Sequence, residues 1–133
     1  MTLALAATVG VLLQATGLIP DDIKPSPMIP WMAALPFWKK CLVVLSAMTV
    51  EEAFFRGWLQ KRIGLVASTV VFVLAHAGYG QPLMFIGITI VSLIIAVTFF
   101  RTRNLIPCII AHGIFDAIQL FVIVPFAVQM LPK

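Results

Sequence analysis

Charged side chains are scarce in this sequence of 133 residues. Aspartate, glutamate, lysine and arginine make up 11% of the chain, whereas soluble domains carry about a quarter. Hydrophobic residues account for 62%, and the mean hydropathy is +1.10. Such a chain cannot cover its surface with water-compatible groups. A soluble globular domain is therefore excluded, and the sequence predicts that the lipid bilayer is the protein's main surrounding medium.

Clustered basic charge and cysteine pairs are also missing. The nine lysines and arginines give a net charge of +4, but they are scattered between apolar runs. They form no stripe that could follow phosphates, so we expect no nucleic-acid partner. The two cysteines, Cys41 and Cys108, fall near opposite ends of a predicted antiparallel helix set. This placement favours two free, buried thiols over a disulfide framework.

Long apolar runs take the place of the missing charge, and about twenty residues suffice to cross a bilayer as a helix. Five runs predict an all-α, polytopic membrane bundle of about five transmembrane helices, with antiparallel neighbours wherever the connections are short. No lysine or arginine precedes the first run, so we expect a retained helix rather than a signal peptide. The predicted spans are Met1–Ile19, Phe37–Leu59, Ile63–Tyr79, Pro82–Phe100 and Leu105–Leu131.

A proline-rich segment, residues 20–36, follows the first predicted span and holds five of the nine prolines. Proline cannot continue a helix and favours extended backbone before it, so we expect one interfacial loop here. We therefore treat 1–133 as a single membrane domain, in which 1–36 forms the first helix with its loop and 37–131 forms the core. The tight basic connections, at 61–62 and 101–104, predict that their side of the membrane is cytoplasmic.

Six ionisable side chains interrupt three of the predicted spans. An ionised glutamate or arginine near the bilayer centre costs about 2.5 to 3.5 kcal/mol on insertion scales. Apolar packing would hold a bundle together without that cost, so the six groups indicate a functional site inside it. They are Glu51, Glu52 and Arg56 on the second span, His76 on the third, and His112 and Asp116 on the fifth.

The spacing within the second span separates its two glutamates. Glu52 and Arg56 are four residues apart, so they can form an ion pair on one helix face. Glu51 lies about 100° further around an α-helix and is left without an obvious countercharge. The sequence thus gives the adjacent glutamates different neighbours.

Depth along the helices brings the other groups together. At about 1.5 Å per residue, Glu51, His76 and His112 lie roughly 14 to 20 Å from the same membrane face. They should therefore converge at mid-depth. His112 and Asp116 are again four residues apart, so the carboxylate can orient the imidazole or share a substrate hydrogen bond with it.

Three motifs, in this order and spacing, resemble the CPBP (Abi) family over about residues 43–120. That family comprises intramembrane endopeptidases related to the CAAX prenyl protease, together with bacterial relatives linked to bacteriocin immunity. The resemblance implies a protease of a bacterial cytoplasmic membrane, acting on a membrane-associated and in some cases prenylated CAAX-type substrate. The motifs are EExxxR at Glu51, Glu52 and Arg56, FxxxH at Phe72 and His76, and HxxxD at His112 and Asp116.

The resemblance also implies roles for the first two motifs. Glu51 and His76 would activate a water molecule that attacks a peptide carbonyl. Glu52 and Arg56 would hold the shape and charge of the site. The implied base is the glutamate that the spacing leaves unpaired, so both lines of reasoning select Glu51.

The third motif and the metal question complete these expectations. By resemblance, His112 and Asp116 would steady the oxyanion and the scissile peptide; only a protonated aspartate can donate a hydrogen bond, so His112 is the expected donor. A zinc site with Glu51, His76 and His112 as candidate ligands stays open. The sequence has no HExxH motif, and we favour water activation that requires no cofactor.

Two other functions also explain ionisable groups inside a membrane. One is a non-catalytic protein that binds a peptide in the same cavity, either in bacteriocin immunity or as a scaffold. The other is a proton or cation carrier. Members of the family usually carry more helices ahead of EExxxR, so we expect this chain to be a minimal or truncated member.

Overall fold

The computed structural model of the protein describes residues 28–76 and 82–129. All regular structure in these two ranges is helical, which confirms the prediction of an all-α bundle. Three π-helical segments join or continue the α-helices. The elements are α1 (Met28–Ala34), α2 (Phe37–Ser46), π1 (Ala47–Glu51), π2 (Ala53–Leu59), α3 (Gln60–Ala75), α4 (Pro82–Thr102), α5 (Leu105–Ile118), π3 (Gln119–Ile123) and α6 (Val124–Gln129).

Three helical stretches in the described ranges are long and apolar enough to cross a membrane: Phe37–Ala75, Phe85–Thr102 and Leu105–Phe126. Large apolar side chains cover their outer faces, as expected for helices that contact lipid. Trp31 and Trp38 are both exposed, and tryptophan rings are typical of the membrane–water interface. The prediction of a helical membrane bundle is confirmed, but the number of five spans is not, and Met1–Ile19 lies outside the described residues.

The first of these stretches is a hairpin of two antiparallel helices, because Gly64 interrupts it. Gly64 has φ 84° and ψ 171°, a combination that is essentially restricted to glycine. Residues at similar distances from the break face one another, and the rings of Phe55 and Phe72 lie 4.8 Å apart. The reversal was predicted at residues 61–62, but those residues are still helical and the chain turns just after them.

The connection between α4 and α5 falls within residues 101–104, where the sequence predicted a tight connection. Arg103 adopts φ 55°, and the side chain of Asn104 caps α5 by accepting a hydrogen bond from the backbone N–H of Ile106 at 2.9 Å. The two helices pack against each other closely. Their shared buried core consists of Ile95, Phe99 and Cys108.

The proline-rich segment is not extended throughout, so that prediction was wrong in part. Its residues from Met28 onward form α1, in which Pro30 occupies the first turn, where a missing N–H loses no helical hydrogen bond. Pro36 is extended and separates α1 from α2. Lys40 Nζ donates a hydrogen bond to the carbonyl oxygen of Ala33 at 3.0 Å, which ties the two helices together.

The prediction of two free, buried cysteines is correct for their pairing but only partly correct for their burial. Cys41 and Cys108 are both free, as predicted. Cys108 is buried, whereas Cys41 is only half-buried.

Candidate active site

All six ionisable residues selected from the sequence lie in one cluster. Each has a side-chain atom within 4.0 Å of at least one other member of the set. The cluster joins the hairpin, which contributes four of the six residues, to α5, which contributes two. Its members are Glu51, Glu52, Arg56, His76, His112 and Asp116.

The two glutamates lie where the membrane helix departs from α geometry. π1 ends at Glu51 and π2 begins at Ala53, so Glu52 separates two π-helical segments. Such turns are rare and often occur at functional sites. The side chain of Glu51 is 29% exposed, whereas that of Glu52 is fully buried. The adjacent carboxylates therefore face different environments, as predicted, although the sequence did not indicate the π turns.

Glu52 and Arg56 form the predicted ion pair in the interior. Arg56 Nε lies 3.3 Å from Glu52 Oε2, and the exposed fractions of the two side chains are only 2% and 0%. Arg56 Nη2 also donates to Ser92 on α4, to Oγ at 2.9 Å and to the carbonyl oxygen at 3.2 Å. The guanidinium stacks over the ring of Phe72, 4.5 Å from its centroid. Buried charges require such compensation.

The second oxygen of Glu52 reaches across to α5. Glu52 Oε1 lies 2.7 Å from Nδ1 of His112. An ionised carboxylate can only accept, so Nδ1 is the donor. The other ring nitrogen, Nε2, lies 3.3 Å from Asp116 Oδ2 and 4.0 Å from Glu51 Oε2. His112 is thus held from behind by Glu52 and presents its opposite edge to the remaining carboxylates.

Glu51 faces His76 at the end of α3. Glu51 Oε2 and His76 Nε2 lie 3.6 Å apart. The other ring nitrogen of His76, Nδ1, lies 2.8 Å from the carbonyl oxygen of Phe72, which can only accept, so Nδ1 donates. Atoms 3.6 Å apart can both lie within about 3 Å of one water molecule. The pair therefore meets the geometric requirement for sharing a water.

A cavity of about 120 Å³ opens beside the cluster. Its ionisable lining consists of Glu51, His76, His112 and Asp116, and Ser92 and Gln119 add neutral polar groups. Apolar side chains from α2, α4 and the end of the α5–π3 helix form most of the remaining wall, among them Val44, Ile88 and Leu120. The cavity is large enough for several water molecules or for a segment of an apolar ligand.

The metal alternative can be tested against the donor atoms. Among residues 28–76 and 82–129, no group of three or more histidine, cysteine, aspartate or glutamate side chains is arranged to hold a metal ion. The candidate ligands Glu51, His76 and His112 lie near one another, and Nδ1 of each histidine bonds another oxygen, so Nε2 is the ring nitrogen that could ligate. No step of the reaction proposed below depends on a metal.

Two polar residues in the interior were missed by sequence reasoning. Ser92 binds Arg56, and Gln60 Nε2 donates to the carbonyl oxygen of Ala96 at 2.8 Å. Both Ser92 and Gln60 are buried. A single serine or glutamine in an apolar run does not by itself indicate a functional residue. The roles of Ser92 and Gln60 become visible only when α4 packs against the hairpin, and spacing along the chain does not predict that packing.

Comparisons with known proteins agree with the motif resemblance. The model of the family described as type II CAAX prenyl endopeptidase Rce1-like matches residues 33–118, which include the whole cluster. A protein of Bacillus subtilis strain 168, described as uncharacterized protein YpbD, is 38% identical over 69 residues. That match covers 51% of this chain but only 36% of the relative. No solved structure matches the chain.

Proposed function

Because this chain belongs to the Rce1-like family of type II CAAX prenyl endopeptidases, we propose that it hydrolyses a peptide bond of a membrane-associated substrate. The family is a protease family, and the helices of this chain are suited to a bilayer. The observation that carries the proposal is the carboxylate of Glu51 facing the imidazole of His76, with Oε2 and Nε2 3.6 Å apart, so that one water molecule beside them can contact both atoms.

In this proposal Glu51 is the general base. Its Oε2 is buried and has no hydrogen-bond partner among the described residues, so it offers an acceptor position to a water proton. In its neutral form, Nε2 of His76 is a second acceptor 3.6 Å away. A water beside the pair would donate a hydrogen to each atom and direct a lone pair into the cavity. As that oxygen attacks a peptide carbonyl, its proton passes to Glu51, which then delivers it to the departing amine.

The opposite wall of the cavity would stabilise the negative charge that develops on the carbonyl oxygen. Nε2 of His112 faces the cavity. In the protonated ring, which carries a hydrogen on both nitrogens, the N–H at Nε2 can donate to that oxygen, with Asp116 as its alternative partner. Glu52 and Arg56 make no contact with substrate in this scheme. They keep the ring of His112 in place from the buried side.

The substrate we propose is a peptide segment held at the membrane by an apolar anchor. The cavity combines four ionisable side chains and two neutral polar ones, Ser92 and Gln119, with an otherwise apolar wall, so it suits a backbone whose neighbouring groups are apolar. The description of the family names CAAX prenyl substrates. A farnesylated CAAX-type peptide is therefore the first substrate to test, with the same peptide lacking the prenyl group for comparison.

The deciding experiment uses Glu51→Gln, which keeps the size of the side chain and removes its basicity. The purified protein in lipid nanodiscs is incubated with each peptide, and cleavage is followed by mass spectrometry. We expect the variant to lose at least about a hundredfold in kcat, the lower part of the range for a general base. Val50→Ala is the matched control, because Val50 is the preceding residue and is 65% exposed on the outer surface.

Three outcomes are informative. Loss of cleavage in Glu51→Gln with retention in Val50→Ala supports the assignment of the base. Unchanged cleavage in Glu51→Gln refutes it. Binding of the peptide without cleavage by the unmodified protein, and equal binding by Glu51→Gln, would favour the non-catalytic alternative.

A further inference from the structure

We propose that Ser92 is a positioning residue of the site, acting on His112 through Arg56 and Glu52. Its effect on catalysis rests on the proposed function, whereas its effect on the ring of His112 does not. Ser92 lies on α4, a helix that contributes no ionisable residue to the cluster.

The hydroxyl of Ser92 behaves differently from those of its neighbours on α4. Thr89 and Thr98 each donate to the carbonyl oxygen four residues earlier in the same helix, at 2.7 and 2.8 Å. The hydroxyl of Ser92 instead accepts from Nη2 of Arg56, on the neighbouring hairpin, at 2.9 Å. The hydroxyl of Ser92 therefore links α4 to the hairpin, whereas those of Thr89 and Thr98 bond only within α4.

The position of Arg56 depends strongly on that contact. Ser92, Arg56 and Glu52 are 1%, 2% and 0% exposed, so water does not compete for the guanidinium. Nη1 of Arg56 has no hydrogen-bond partner in the part of the chain that the structure describes. Polar contacts to Ser92 at Nη2 and to Glu52 at Nε hold the group from two directions. Without the hydroxyl, Nη2 keeps only the carbonyl oxygen of residue 92, at 3.2 Å.

The constraint passes from Arg56 to His112 through one carboxylate. Glu52 binds Arg56 with Oε2 and His112 with Oε1, so the two contacts share a single rigid plane. A guanidinium that can tilt allows the carboxylate to rotate, and rotation moves Oε1 away from Nδ1 of His112. The bond that aims Nε2 of His112 into the cavity is then weakened.

The consequence for the reaction lies in kcat more than in KM. His112 acts on charge that develops during the reaction, so its misplacement is felt in the transition state. A displacement of about 1 Å in a catalytic group can cost about a hundredfold. Ser92→Ala removes only the hydroxyl and keeps every other side chain of the network, and we expect kcat to fall about ten- to a hundredfold. Ser92 also lines the cavity, and a direct contact with substrate would instead raise KM.

The test follows the histidine rings independently of cleavage. The chain contains two histidines, so labelling with 15N-histidine gives two sets of ring signals by NMR in nanodiscs, assigned with His76→Gln. We expect Ser92→Ala to shift or broaden the Nδ1 signal of His112, and Ser92→Thr, which keeps the hydroxyl, to restore it. Thr89→Val is the matched control, because it removes a hydroxyl from the same helix without touching Arg56. Kinetics of the same variants supply kcat and KM.

The outcomes separate this inference from the function it rests on. A moved His112 signal with a lower kcat, a KM within about twofold, and recovery in Ser92→Thr supports the positioning role. An unmoved signal in Ser92→Ala overturns it, as does an equal shift in Thr89→Val. If the signal moves as expected but the unmodified protein cleaves no peptide, the positioning role stands and the proposed protease activity fails.

Discussion

Replacing Arg56 by methionine should destabilise the protein by about 3 kcal/mol, the lower end of the cost of breaking a buried ion pair. Methionine fills most of the volume and keeps apolar contact with Phe72. It removes the ion pair with Glu52 and both hydrogen bonds to Ser92. Most of the lost stability comes from the carboxylate of Glu52, which is fully buried and loses its countercharge.

The size of the destabilisation depends on the hydrogen bond that Glu52 keeps in the variant. Its Oε1 remains bonded to Nδ1 of His112 at 2.7 Å, so the carboxylate is only partly uncompensated and the cost should not reach the upper end of about 5 kcal/mol. Removing the charge as well, in the double variant Glu52→Gln with Arg56→Met, should recover part of the loss. We expect a coupling free energy of about 2 kcal/mol between the two positions.

The assay is equilibrium unfolding by SDS in mixed micelles, which gives a free energy of unfolding for each variant. Arg62→Met is the matched control, because Arg62 is exposed and its guanidinium lies over Trp58 at 4.5 Å; that contact should contribute less than about 1 kcal/mol. The reasoning is refuted if Arg56→Met costs no more than Arg62→Met, or if the double variant is as unstable as the sum of the two single ones.

Two further predictions concern the turn and the metal question. Gly64→Ala should destabilise the hairpin by about 1 to 3 kcal/mol, because a side chain is strained at φ 84° and ψ 171°. The control Gly87→Ala lies in a helix with nothing within 4 Å of the added carbon and should be neutral or stabilising by up to about 1 kcal/mol. SDS unfolding measures both variants, and equal effects would contradict the strain argument. Peptide cleavage should survive prolonged treatment with EDTA, and activity that is lost with the chelator and restored by zinc would show that the water is activated by a metal.

The spacing of residues within one helix predicted the local contacts of the site. The ion pair of Glu52 with Arg56 and the approach of Asp116 to His112 both follow from a separation of four residues, which places side chains on one face of a helix. The depth estimate placed Glu51, His76 and His112 at one level, and the structure brings them within 4.0 Å. That estimate worked because the connections at both relevant helix ends are short.

Contacts between distant segments could not be predicted in the same way. Glu52 and His112 are sixty residues apart, and Ser92 and Arg56 are thirty-six apart. Whether such side chains meet depends on how helices rotate about their axes when they pack, and spacing along one chain contains no information on that rotation. The turn at Gly64 was misplaced for a related reason, since the charged residues 61–62 suggest a connection while only the glycine allows the backbone to reverse.

The two adjacent glutamates approach one imidazole from opposite sides. Nδ1 of His112 binds the buried Glu52, and Nε2 lies 4.0 Å from Glu51, which also faces His76. A single carboxylate could not reach both edges of the ring. The first glutamate lies at the end of π1 and the second just after it, so the π turns set the directions in which the two side chains leave the helix. The same segment thereby fixes the distance between the proposed water site and the proposed oxyanion donor, and a shift of that segment by one residue would separate them.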